Sequence, residues 1–195
     1  MANICMVSVK ITGPKSQIQT LETELQTAAN NTYYEKNWLG NLWMHLGHTF
    51  SDVMNGVYGS CRGTICDISL TKPNEITIEM DCAWQPHLKP IKDFVTTYAP
   101  KAKIEFEAEE PGCELFVTSK SNINTVRVDL LDDIPKDENW IFDWEGEHYK
   151  DELQKTLSNK LGKNDTLEKL AYEFEDEHPY VAFRFFEHAD IDDYC

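Results

Sequence analysis

The segment 63-GTICDISLTKPNEITIEMDCA-83 decides the fold, because it contains two strands joined by a short turn. In its second half, EITIEMDC, apolar side chains alternate with acidic or hydroxyl side chains, which is typical of a strand with one buried face. Between the two halves, Lys72-Pro73-Asn74 contains residue types that favour turns. The segment therefore predicts a β-hairpin, with one strand over 63–71 and the other over 75–82.

A strand and a helix are predicted on each side of this hairpin, from apolar side chains that recur with period two or with helical spacing. These elements are predicted over residues 3–11 (strand), 15–30 (helix), 86–98 (helix), 103–108 (strand) and 114–118 (strand). The order β-α-β-β-α-β is that of the ferredoxin-like arrangement, with two helices on one face of an antiparallel sheet. We therefore expect an α+β fold with a ferredoxin-like core over residues 1–120.

Residues 32–62 interrupt this pattern. They are rich in aromatic side chains, contain four glycines and show no sustained period. We expect one short helix around 39–46 and loop elsewhere. A connection of this length is unusual in a compact domain, and it indicates either a functional segment or a packed insertion.

Residues 121–195 predict further elements beyond this core. Asp165-Thr166-Leu167-Glu168 resembles a capping box, in which the Asp side chain accepts from the amide three residues on. No Gly-, Ser- or Pro-rich linker is present, so we expect an acidic αβ extension packed on the core rather than an independent domain. The closing strand is apolar on both faces and is expected to be central or at an interface. The elements are predicted over 124–131 (strand), 147–161 (helix), from 165 to before Pro179 (helix) and 180–186 (strand).

The composition is strongly acidic, with 34 acidic and 18 basic residues and a formal net charge of −16. Phosphate binding needs a positive surface, so this charge argues against direct nucleic-acid binding and against docking on anionic membranes. Residues 121–195 hold 20 of the acidic residues and only 8 of the basic ones. The acidity therefore belongs mainly to the C-terminal part.

Several sequence features point to a cytoplasmic protein. No apolar run reaches the roughly 18–20 residues needed to span a bilayer. The N-terminal residues MANICMVSVK contain no signal-peptide core and start directly with strand-like sequence. The six cysteines form no C-x-x-C pair and are too sparse for a disulfide scaffold, so we expect reduced thiols.

The stretch 59–86, GSCRGTICDISLTKPNEITIEMDCAWQP, carries two short markers. A Gly-Thr pair enters a strand that contains an Asp, and the next strand ends in Trp-x-Pro before a helix. The marker residues are Gly63, Thr64, Asp67, Trp84 and Pro86. In these features residues 1–120 resemble the YubB-type ferredoxin-like domain, although the family pattern has an aromatic residue where Cys66 stands. The resemblance implies a ferredoxin-like fold and a bacterial, mobile-element setting; the family has no settled activity, so it implies no catalytic residue.

A ligand pocket is predicted between the 32–62 insertion and Trp84, because convergent aromatic side chains are common in ligand sites. The alternative is that Trp84 fills the end of the core, with its N–H on a backbone carbonyl. His45 and His48 form H-x-x-H, which on a helix would place both on one face, where they could contribute to a metal site. Such a site needs two more ligands, so we predict no metal and no cofactor. The candidate pocket residues are Trp38, Trp43, Tyr58, Trp84, His45 and His48.

Carboxylates on the predicted sheet form a second chemical feature. Two sets of carboxylates point to the same face if the register is regular, namely Glu75, Glu79 and Asp81 of one strand and Glu105, Glu107 and Glu109 of another. In the ferredoxin-like order 4-1-3-2 another strand separates them. The face is expected to be solvated or covered by residues 121–195, and its acidity argues against the RNA-binding use of this fold.

The first functional hypothesis is a non-catalytic protein-binding module whose acidic surface attracts a basic protein partner. The alternative, that the acidity only maintains solubility, stays open. The candidate surface residues are Glu173, Glu175, Asp176, Glu177, Asp190, Asp192 and Asp193. The second hypothesis is a small-molecule-binding protein or an enzyme that uses the predicted pocket. No catalytic residue and no oligomeric state is predicted.

Overall fold

The structure of the protein is a computed structural model. It describes residues 3–113, 115–131, 134–135, 141 and 143–195. The chain divides into two compact units, of which the first comprises Met1–Ser121 with His188–Cys195 and the second Asn122–Glu187. The C-terminal residues therefore belong to the same unit as the predicted core.

Helices and strands both occur along the whole length of the described chain. In order they are β1 (Ile4–Thr12), α1 (Lys15–Ala29), α2 (Asn41–His45), α3 (Phe50–Met54), β2 (Gly63–Lys72), β3 (Glu75–Ala83), α4 (Lys89–Tyr98), β4 (Lys103–Glu110), β5 (Leu115–Thr118), β6 (Thr125–Leu130), β7 (Gly146–Tyr149), α5 (Lys150–Leu161), α6 (Leu167–Glu177), β8 (Val181–Arg184) and β9 (Glu187–His188). Short 3-10 turns occupy Pro111–Cys113 and Ile191–Tyr194. The expected α+β class is confirmed.

The first unit is built on a six-stranded sheet in the order β2-β3-β1-β4-β5-β9. The predicted hairpin is present, because β2 and β3 pair antiparallel with Ile65 opposite Met80. Strand β1 lies between β3 and β4 and pairs antiparallel with both. The first four strands thus lie in the order 4-1-3-2, and β1 separates the two acidic strands as expected.

One face of this sheet is buried under α1 and α4. The alternation in β1 buries Val7, Val9 and Ile11, while the intervening side chains lie on the other face. Helix α1 and helix α4 add apolar residues at helical spacing, and Pro90 is accommodated in the first turn of α4. Full burial of each such side chain contributes about 1.5–3 kcal/mol. The helical residues of this core include Ile18, Leu21, Leu25, Ile91, Phe94 and Val95.

The 32–62 segment contains more helix than predicted. The expected short helix is α2, and α3 forms where loop was expected, with Thr49 as its N-cap accepting from the Asp52 amide. Local pairing holds the segment on the edge of the sheet, since the Leu39 amide donates to the Gly63 carbonyl at 2.9 Å. The side-chain amide of the buried Asn41 donates from Nδ2 to the backbone carbonyls of Asn31 and Glu35, at 2.8 Å each. These contacts turn an irregular stretch into a packed insertion.

The second unit contains a three-stranded sheet in the order β7-β6-β8 together with α5 and α6. Its core joins the strands to both helices through apolar residues of each element. The Trp144 ring stacks on Phe174, with ring centroids 5.2 Å apart. The buried core residues of the two helices and of β6 and β8 include Val126, Val128, Leu153, Leu157, Leu170, Phe174 and Phe183.

Three predictions for the second unit need correction. The helix expected from 147 begins at Lys150, because residues 146–149 pair with β6 as β7. Asp165 does not cap through the amide three residues on; its Oδ1 accepts from the adjacent Thr166 amide at 2.8 Å, and Thr166 is the N-cap. Of the two alternatives for the closing strand, the central position is wrong, because β8 lies at an edge of its sheet, and the interface position stays a prediction.

Some predicted features lie outside the described residues. These are Glu114, the first residue of the strand expected over 114–118, and four acidic residues of the predicted C-terminal charge, namely Asp132, Asp133, Asp137 and Glu138. Within the described part of the chain, no helix has the length and apolar character to cross a membrane.

Candidate functional site

A surface pocket of about 570 Å³ lies within the 34–62 segment of the first unit. Three stretches supply its walls: the loop before α2, the helix α3 with its C-terminal turn, and the loop that leads into β2. The lining residues are Tyr34, Trp38, Val53, Met54, Asn55, Gly56, Gly59, Ser60, Cys61 and Arg62. The pocket therefore forms inside the insertion that the sequence marked as functional or packed.

An aromatic cluster forms the wall around Trp38. Its ring packs edge-on against the rings of Tyr34 and Phe50, with centroids 5.3 Å and 6.4 Å away respectively. The indole also lies directly over Gly40, where any added Cβ would overlap the six-membered ring. Because Gly40 has no side chain, the ring lies close against its backbone, and Trp38 presents a flat surface to the pocket.

Trp43 is buried beneath this site rather than exposed in it. Its side chain is 0% exposed, packs on Tyr58, and donates from Nε1 to Asp93 Oδ2 at 2.9 Å. With Val53 and Cys61 it forms the small core under the insertion. Trp43 and Tyr58 therefore support the pocket without lining it.

Trp84 does not join the pocket lining. It has a left-handed backbone conformation (φ 71°), its amide donates to the Asn3 carbonyl at 3.0 Å, and its side chain is 47% exposed. It therefore does not fill the end of the core either. The pocket wall that the sequence assigned to Trp84 is supplied instead by residues 53–62.

His45 and His48 do not share a helix face, so that prediction is wrong. Helix α2 ends at His45, and Gly47 with φ 93° turns the chain away. His45 Nε2 lies 2.8 Å from Glu24 Oε2, whereas the His48 ring packs on Tyr58 with centroids 4.0 Å apart. Among the residues that the structure describes, no group of three or more His, Cys, Asp or Glu side chains is arranged to hold a metal ion.

The loop Gly59–Arg62 brings polar groups to the pocket. The exposed Ser60 Oγ lies 3.4 Å from Nε2 of His87, which is almost fully buried at 7% exposure. Burial lowers the pKa of His87, and the nearby positive charge of Arg62 lowers it further, against a hydrogen bond to the Ala83 backbone that raises it. His87 is therefore neutral at pH 7.

Cys61 completes this loop but is not a nucleophile. Its side chain is buried, and burial raises the pKa of the thiol to about 11. At neutral pH the thiol stays protonated, and only the thiolate attacks electrophiles or binds metals well. Cys61 contributes apolar contact to the support under the pocket.

We expect His87 to make the stability depend on pH. In the unfolded chain the His87 side chain takes up a proton near its ordinary pKa of 6.5, whereas in the folded protein its pKa is lower. The free energy of unfolding therefore falls as the pH drops through 6.5. In the variant His87→Gln this contribution is absent, and the slope of stability between pH 7 and pH 5 should be shallower. Urea unfolding of both proteins across this range measures the slopes; equal slopes would contradict the inference.

The carboxylates of the sheet lie on one face, as the alternation predicted. In the register of β3, β1 and β4, Ser8 is opposite both Glu79 and Glu107. Basic side chains offset part of this charge, with Lys10 3.3 Å from Glu105 and Lys120 3.0 Å from Glu107. The face is a network of ion pairs and not a bare acidic surface.

Five of the seven candidate surface carboxylates have structural partners. In the second unit, Glu173 pairs with Lys163 at 2.7 Å, and Glu175 accepts from the Phe183 amide at 2.6 Å. In the first unit, Asp190 and Asp193 form the capping box of the C-terminal 3-10 turn, and Asp192 pairs with Lys92. Asp176 and Glu177 are exposed on α6. The candidate residues thus belong to two units and mostly stabilise local structure.

Sequence reasoning found Trp38 but missed Tyr34, Met54, Ser60, Arg62 and His87. A signal for the loop was present, because Gly59-Ser60-Cys61-Arg62-Gly63 sets a basic residue between glycines in an acidic chain. The partnership of Ser60 with His87 has no local signal, since 27 positions separate them. It depends on β3 returning the chain to the start of β2.

Comparisons of the chain with models of known protein families, with curated proteins and with solved structures gave no match.

Proposed function

We propose that this chain binds a small molecule in the pocket of the 34–62 segment. The observation that carries the proposal is the pocket itself, whose volume of about 570 Å³ is within the range of about 300–1,000 Å³ typical of ligand sites. Its walls combine rings and aliphatic side chains with a few polar groups, as such sites do. Binding uses Trp38 and Tyr34 as the flat apolar surface.

The proposed framework for this site is a ferredoxin-like core. The strand order 4-1-3-2 and the two helices on one face support that assignment for the first unit. The pocket-forming segment is then an insertion between the first helix and the second strand of the core. Strands β5 and β9 extend the sheet at its other edge.

The test uses N-phenyl-1-naphthylamine, a neutral aromatic dye whose fluorescence rises in apolar sites. We expect the dye to bind the wild-type protein and the variant Trp38→Ala to bind it at least tenfold more weakly, because the variant loses both the buried apolar area of the ring and its stacking contribution of about 0.5–1.5 kcal/mol. Trp84→Ala is the matched control, because it removes an exposed tryptophan that does not line the pocket.

Equal losses of dye affinity in Trp38→Ala and Trp84→Ala, or no dye binding to the wild type, would argue against ligand binding in this pocket. The acidic helix α6 then becomes the better candidate, as a surface for a basic protein partner. The specific observation in its favour is Tyr172, 73% exposed and one turn from Asp176. Exposed tyrosines are enriched at protein interfaces.

A further inference from the structure

The charge of the pocket wall differs from that of the protein as a whole. The chain carries a net charge of −16, yet Arg62 is the only charged residue among the described residues that line the pocket. Asp52, a carboxylate of the same segment that does not line the pocket, accepts from the Thr49 hydroxyl at 2.7 Å. The pocket is therefore a locally positive concavity in an acidic protein.

Arg62 has no counter-ion within the described part of the chain. Its side chain is exposed, and no described carboxylate lies within ion-pair distance of the guanidinium. An arginine presents five N–H donors in a planar fork that fits a carboxylate or a sulfonate. Most other basic side chains near the core are paired, as Lys89 is with Asp93 at 3.1 Å. Arg62 is thus available to a ligand.

The loop that carries Arg62 also contains backbone donors. Within the described residues, the amides of Ser60 and Arg62 donate to no other protein group, although the adjacent Gly59 amide donates to the Gly56 carbonyl. Loop amides without a protein acceptor favour a negatively charged oxygen. The loop therefore offers several donors and one full positive charge beside the aromatic wall.

We propose that the ligand of this pocket is a small aromatic anion, whose ring packs on Trp38 and Tyr34 and whose carboxylate or sulfonate meets Arg62 and the 60–62 amides. The inference rests on the proposed function and deepens it by naming the ligand class. The aromatic wall provides affinity for any flat apolar molecule. Arg62 provides the preference for a molecule with a negative group.

The test compares two dyes that share one aromatic skeleton. 1-Anilinonaphthalene-8-sulfonate is N-phenyl-1-naphthylamine with a sulfonate added. We expect the wild-type protein to bind the sulfonate about tenfold more tightly than the neutral dye, since a charge-assisted hydrogen bond to Arg62 increases affinity by about a factor of ten. Added salt should weaken the binding of the sulfonate dye and not that of the neutral dye, because salt screens interactions between exposed charges.

Two substitutions locate the preference. Arg62→Gln should remove the tenfold preference for the sulfonate over the neutral dye, whereas binding of the neutral dye should persist and show that the variant is folded. Lys101→Gln, which removes an exposed cation that does not line the pocket, is the control for net charge and should change the affinity for neither dye. Equal affinity of the wild type for both dyes, or an Arg62→Gln variant that keeps the preference, would overturn the anion proposal. If Trp38→Ala bound the neutral dye as tightly as the wild type does, the proposal that the pocket binds small molecules would be overturned instead.

Discussion

Replacing Trp43 with alanine is expected to lower the free energy of unfolding by about 3–5 kcal/mol. The side chain is fully buried, so the substitution leaves a cavity under the insertion and removes the contact with Tyr58. It also removes the Nε1 donor to Asp93, the link between α2 and α4. Because Trp43 shares its small core with Val53 and Cys61, which line the pocket, dye binding should be lost together with stability.

Urea unfolding of Trp43→Ala, followed by circular dichroism, measures the loss. Trp43→Phe separates the contribution of ring packing from that of the hydrogen bond, since it keeps most of the ring but removes the Nε1 donor. Its free energy of unfolding should be lower than that of the wild type by about 1–2 kcal/mol. Trp84→Ala is the control for removing a half-exposed tryptophan and should change stability little. If Trp43→Ala unfolded at the wild-type urea concentration, the packing described for the insertion would be incorrect.

The variant Gly40→Ala is expected to weaken binding of the neutral dye at least tenfold with only a small change in stability. Its backbone has φ −63°, which alanine adopts without strain, so the effect comes from the added methyl group alone. That group would overlap the Trp38 ring. The indole is partly exposed and can swing away, which spares the fold but removes the flat wall of the pocket.

A double variant makes this prediction specific. In Trp38→Ala the ring is absent, so adding Gly40→Ala should cause no further loss of dye affinity, and the two substitutions should be strongly non-additive. Fluorescence titration of the two single variants and the double variant gives the coupling. Additive losses would show that Gly40 acts on the pocket through some route other than Trp38.

The strands show how much the sequence could predict. In residues 75–82 every second side chain is apolar, and because strand side chains alternate between faces, this pattern alone assigns Ile76, Ile78 and Met80 to the core. The same reasoning placed the sheet carboxylates on the opposite face. It did not find β7, because Gly146–Tyr149 is short and takes its conformation from pairing with β6.

The pocket marks the limit of such reasoning. The aromatic content of residues 32–62 indicated a packed or functional segment, but the sequence offered Trp38, Trp43 and Tyr58 as equal candidates. The structure separates Trp38, which lies in the wall, from Trp43, which is buried by Asp93 and Tyr58. The separating contacts join residues distant in sequence, so no local pattern encodes them.

The sequence by itself determined the α+β class, the hairpin, the buried faces of the strands and the acidic charge, because each follows from a local period or from composition. Only the tertiary structure decided that the pocket lies within the insertion, that Arg62 is its one charged lining residue among those described, and that His87 stands beside Ser60. It also gave most of the candidate surface carboxylates a local partner. The physical reason is that charge pairing, burial and concavity depend on which distant segments meet, and that is a property of the folded chain.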